Sequence, residues 1–94
     1  MSKVYIITYD LNAPGQKYNE VIETIKTTLS TGVWCSFWKS SYVFRSNLTP
    51  TEMMSCLNPL LDSDDRVFIC ELNENYNGSL PSEGWDYIKQ SIFH

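Results

Sequence analysis

The sequence predicts an α+β fold in the order β-α-β-β-α-β. Four runs rich in β-branched and aromatic residues, 3–9, 33–38, 41–46 and 66–72, are bounded by turn formers. Two stretches between them, 17–29 and 48–61, repeat apolar residues at helical spacing instead. The two middle strand-like runs are separated only by Lys39-Ser40, so they read as a hairpin.

The first strand, Val4 to Tyr9 with Lys3 before it, is almost continuously apolar or aromatic, which suits a central position covered on at least one face. Asp10 ends it, and Pro14-Gly15 signals a turn. In the first helix, Tyr18, Val21, Ile22, Ile25 and Leu29 make one apolar stripe, opposed by Glu20, Glu23, Lys26 and Thr27. Ser30-Thr31-Gly32 ends it, with Gly32 suited to a left-handed conformation.

Simple alternation along Val33–Trp38 puts Trp34, Ser36 and Trp38 on one face, with Val33, Cys35 and Phe37 on the other. The second helix has a full start signal: Thr49 as N-cap, Pro50 at the first position and Glu52 three residues after the cap. Pro59 bends or ends its last turn. Asp62-Ser63-Asp64-Asp65 is an acidic loop, and 66–72 is the last strand. After a turn-rich segment from Asn73 to Gly78, Trp85, Ile88 and Ile92 predict a short C-terminal helix over 82–92.

This order matches the split βαβ plan: a ferredoxin-like βαββαβ antiparallel sheet with two helices on one face, plus a short C-terminal helical extension. Right-handed crossovers set strand order 4-1-3-2, with the first and third strands central. The whole of residues 1–94 reads as one such domain, without repeats or linkers.

Composition narrows the function classes. A formal charge of −4 argues against broad electrostatic binding of nucleic acid, which needs clustered Lys and Arg. No apolar stretch approaches the ~18 residues that span a bilayer, and Met1-Ser2-Lys3 does not open a signal peptide, so a cytoplasmic protein with no membrane partner is expected. Cys35, Cys56 and Cys70 lack CxxC spacing, and His94 is the one histidine. They read as buried, reduced thiols rather than disulfides or a zinc site. Without a histidine inside the fold, Ser36, Ser40 and Ser41 have no base for a hydrolase triad. Asp62, Asp64 and Asp65 lack the Gly and distal Glu of an EF-hand and read as a solvated loop.

The first strand ending Tyr9-Asp10, the following helix and "SSYVFRSNLTPTEM" resemble the small CRISPR-associated proteins of the spacer-acquisition complex. SinR-like relatives of that family are similar over nearly the whole chain, through Tyr9-Asp10-Leu11-Asn12, Pro14-Gly15-Gln16, Tyr18, Trp34, Trp38, Asp65 and Trp85. The resemblance implies a ferredoxin-like homodimer and a metal-dependent endonuclease. Asp10 is then the catalytic and metal-binding residue, paired with its mate across the dimer on a shared Mg²⁺. The first helix here departs from that pattern, with only Lys17 and Lys26 against Glu20 and Glu23. From the residues alone the turn role leads, with Asp10 accepting hydrogen bonds from the amides of its own loop.

Three functions stand as expectations. The first is a Mg²⁺-dependent endonuclease acting on nucleic acid through Asp10. The second is a catalytically silent homodimer that binds a protein partner. The third is a small or cyclic nucleotide-binding module on the helix-free sheet face. There Trp34, Trp38 and Tyr42 would stack on a base, and Lys39, Arg45 and Arg66 would meet phosphates. Two tryptophans on that face would otherwise call for cover by a second copy or by the C-terminal segment.

Overall fold

The computed structural model of the chain describes residues 2–12 and 16–94. The Pro14-Gly15 turn lies outside the described residues. The elements are β1 (Lys3–Asp10), α1 (Gln16–Thr24), β2 (Trp34–Trp38), β3 (Ser41–Ser46), α2 (Pro50–Leu57), β4 (Arg66–Glu71) and α3 (Ser82–Tyr87). Both α1 and α3 continue into a wider π-helical turn, Ile25–Leu29 and Ile88–Ile92. The start of α2 obeys its sequence signal. Thr49 Oγ1 accepts from the Glu52 amide at 3.2 Å, and Glu52 Oε1 accepts from the Thr49 amide at 2.8 Å. Ahead of Pro59 the helix stops at Leu57 and tightens into a 3₁₀ turn, Asn58–Leu60. Gly32 has φ +103°, a conformation that a side chain would strain.

The four strands form one sheet in the order β2-β3-β1-β4, which is 4-1-3-2 from the opposite edge, so β1 and β3 are central. Every neighbouring pair is antiparallel. Ile6 lies opposite Val43 on β3 and Cys70 on β4; Ile7 lies opposite Tyr42 and Ile69. Because successive residues point to opposite faces, β1 feeds two cores. On one face, Tyr5, Ile7, Tyr9, Tyr42 and Phe44 pack with Val21, Ile25 and Leu29 of the first helical segment and Met53 and Leu57 of α2.

The other face differs from the expectation of a helix-free surface. Val4, Val43 and Cys35 pack there against Ile88 and Ile92. The C-terminal helix therefore covers part of this face from within the same chain. Arg45 anchors it: the guanidinium donates to the Ile92 carbonyl, and also to Ser2 Oγ and the Ser2 carbonyl at 2.8 Å each.

The expected alternation in β2 also fails, and the register shows why. Cys35 pairs with Val43 but Trp38 pairs with Ser41, so β2 holds one extra residue, a β-bulge. Ser36 Oγ lies 2.9 Å from the Trp38 carbonyl and 2.7 Å from that of Ser41, inside the bulge. The extra residue reverses the facing of the rest of the strand. Trp34 sits with the α1 and α2 core, whereas Trp38 joins Cys35 on the α3 side.

Candidate functional site

Two places on the α3 side of the sheet carry chemistry. The first surrounds Asp10. It ends β1 opposite Arg66 of β4, and Thr8 lies opposite Phe68. These residues border a shallow, open hollow. Helix α3 does not reach it: Phe68 is 66% exposed. Among the described residues the Asp10 carboxylate has neither a hydrogen-bond nor an ion-pair partner. Arg66 faces it across the ladder but donates through Nη1 to the Ser63 and Asp65 carbonyls, at 3.2 and 3.1 Å.

The Asn12 amide, one of the loop amides expected to bond Asp10, goes to Asp65 instead; the rest of that loop, 13–15, lies outside the described residues. Asp65 Oδ1 accepts the Asn12 amide and Oδ2 the Asp62 amide, both at 2.8 Å. Lys17 Nζ lies 2.5 Å from both Asp65 and Asp62. The Asp65 side chain is fully enclosed and the Lys17 side chain only 15% exposed. The Asp62 amide, Lys17 and the Asn12 amide together hold the Asp65 carboxyl down to about 2, and the same carboxylates push Lys17 up. Asp64 accepts from the Asn12 side-chain amide at 2.8 Å. The acidic loop is solvated at Asp62, Ser63 and Asp64, as expected, and it also braces the start of β4 to the segment after β1. Among the described residues, no three His, Cys, Asp or Glu side chains gather to hold a metal ion within one chain.

The six residues expected to bind a nucleotide do not converge. Trp34 and Tyr42 lie on the α1/α2 side, rings 5.6 Å apart, with Lys26 Nζ 4.6 Å above Trp34. Arg45 is committed to α3 and the N-terminal segment. Lys39 is exposed in the β2–β3 turn, where its carbonyl accepts the Tyr18 hydroxyl at 2.7 Å. Arg66 lies at the Asp10 end of the sheet, and Trp38 borders a different cavity.

That cavity is the second place. It has a volume of about 500 Å³ and lies between the sheet, the segment 73–80 and α3. Trp38, Tyr76, Trp85 and Phe93 supply aromatic walls, and Ile6 and Val43 the floor on β1 and β3. The Tyr76 ring stacks near Phe93 at 4.9 Å and near Trp85 at 6.0 Å. Turn-rich composition alone does not mark 73–78 as a wall. The available signal is Tyr76 among four asparagine or glycine neighbours, nine residues before Trp85.

Two groups are set apart from this chemistry. Burial pushes the Cys35 thiol up to about 11, so it stays protonated. Cys56 is partly buried, and Cys70 is exposed, against the expectation of three buried thiols; all three are free. The Tyr9 hydroxyl is buried beside Tyr18, with no hydrogen-bond partner among the described residues, and burial raises its pKa.

No helix of the described residues is long and apolar enough to cross a membrane. No protein-family model matches the chain, and no curated protein matches it.

Proposed function

We propose that this chain is a ferredoxin-like protein that works as a homodimer. In this reading it is related to the CRISPR-associated and SinR-like proteins, and paired Asp10 carboxylates hold a divalent ion for phosphodiester hydrolysis. The observation that carries the reading is the state of Asp10. It is an exposed carboxylate at the end of a central strand with no partner among the described residues, while Asp62, Asp64 and Asp65 nearby are all bonded. Beside it, Phe68 projects from the uncovered part of the sheet. An exposed aromatic next to an unpartnered carboxylate suits a self-complementary twofold contact.

One carboxylate per chain is a weak site, and two copies supply the charge a hard cation needs. Asp10 of each copy would hold the ion, which when bound supplies Lewis acidity to a phosphate group. Arg66 is the cation of this chain placed to orient that phosphate, since its Nε and Nη2 have no partner among the described residues.

The test has two arms. Light scattering gives a mass of two chains, and Phe68→Asp reduces it to one. Single- and double-stranded DNA and RNA are cleaved with Mg²⁺ or Mn²⁺, and EDTA or Asp10→Asn abolishes cleavage. A one-chain mass overturns the shared site. A dimer without metal-dependent cleavage leaves the catalytically silent, partner-binding dimer as the function.

A further inference from the structure

We infer that the cavity between the sheet and α3 is a binding site for an uncharged planar heteroaromatic ring of the size of a nucleobase or nucleoside. Its volume of about 500 Å³ falls in the range of small-molecule sites. Trp38 is 43% exposed and meets Phe37 edge-on, so its ring is not covered by a stacked neighbour in the way that Tyr76 is. An indole face of this kind takes a flat ring by stacking.

The polar part of the wall is made of amides. Asn73, Asn75 and Asn77 all border the cavity. Asn73 and Asn77 each use their Oδ1 to accept a backbone amide of their own turn, at 2.9 and 2.8 Å. That leaves both Nδ2 donors, and the Asn75 side-chain amide, without a partner among the described residues. Donor and acceptor amides beside an aromatic face match the edge of a heterocyclic base.

Charge sets the class more narrowly. Among the described residues bordering the cavity there is no Lys, Arg or His, and the one acidic residue is Glu71, which lies opposite Tyr5 and so turns its side chain to the other face. Glu71 is already 3.8 Å from Lys3. A phosphate would find no bordering cation to receive it, in a protein of net charge −4. The ring therefore enters without its phosphate. The site shares Trp38 with the expected nucleotide set but not its Arg45 or Arg66, and it is separate from the Asp10 hollow.

The three indole N–H signals in a proton–nitrogen NMR spectrum provide the test. Trp38 and Trp85 border the cavity, while Trp34 lies on the far side of the sheet and serves as an internal control. Titration with adenosine, guanosine, cytidine and uridine shifts Trp38 and Trp85 saturably for at least one nucleoside and leaves Trp34 in place. The matching 5′-monophosphate binds at least tenfold more weakly. Trp38→Ala, with an unchanged far-ultraviolet spectrum, weakens binding at least tenfold, and Asn75→Ala weakens it by a smaller factor. A short oligonucleotide in parallel separates a free nucleoside from a base carried on a strand. The proposal is overturned by a flat response to all four nucleosides, by a monophosphate that binds as tightly, or by choline shifting the same signals where nucleosides do not.

Discussion

The two faces of the sheet are built to different standards. On the α1/α2 face, five strand residues and five helix residues close into one buried core. On the α3 face, three strand residues meet two residues of the last helical turn, and the remaining space is a cavity and an open hollow. The same central strands serve both, so the difference comes from the elements that cover them. Two helical segments of well-formed periodicity cover the first face. A short helix, tied down by one arginine, covers part of the second. The first face is finished as core, whereas the half-covered face exposes aromatic rings and, among the described residues, side-chain amides and a carboxylate without partners.

The largest expected effect breaks the finished side. Phe44 is fully buried at its centre, and Phe44→Ala costs about 3–5 kcal/mol in chemical denaturation. Ile88→Ala, on the cavity side, costs about 2 kcal/mol, because a wall that already borders open space loses fewer contacts. Equal losses would contradict the difference between the faces.

Arg45→Met sharpens the comparison by removing the tie on α3. Lost charge-assisted hydrogen bonds are worth about 1.5–3 kcal/mol each to a buried partner, less here because the site is partly exposed. Amide hydrogen exchange then quickens in 82–93 while the amides of α1 and α2 keep their protection. A uniform loss across the chain would mean that α3 is integral to the main core.

Thr49→Ala removes the capping box of α2 and costs about 1 kcal/mol, with the cavity residues unaffected.

The last effect shows only in acid. The Asp65 carboxyl falls from 3.8 to about 2 on folding, so its contribution is fully present above about pH 4 and is lost as the pH drops through about 2. Lys17 has the opposite sense: its raised pKa gives stability that is present at neutral pH and is lost only at strongly alkaline pH. Asp65→Asn flattens the acid limb, read as the denaturation midpoint between pH 5 and pH 2. An unchanged limb would show that the brace contributes nothing to pH-dependent stability.

Much of the fold is legible in the sequence because it rests on local chemistry. The apolar stripe from Tyr18 to Leu29, the Thr49-Pro50-Glu52 start and the aromatic hairpin each report their own element. The site is less legible. Alternation places Trp34 and Trp38 on one face, and a single extra residue in β2 separates them. The sequence pairs Asp10 with its own loop or with a metal, and Asp65, far along the chain, takes the Asn12 amide. Bulges and long-range brackets depend on register and on which partners meet, which spacing within one segment does not report.

By itself the sequence determined the element order, the central place of β1 and β3, and the start and end of α2, because periodicity and capping act over a few residues. Only the tertiary structure decided which face each tryptophan serves, that α3 covers part of the second face, and that Arg45 ties α3 to the N-terminal segment. The tryptophan faces turn on the β2–β3 register, and the other two outcomes on contacts between distant residues, such as Arg45 with Ser2 and Ile92, whose energies exist only once the chain has closed.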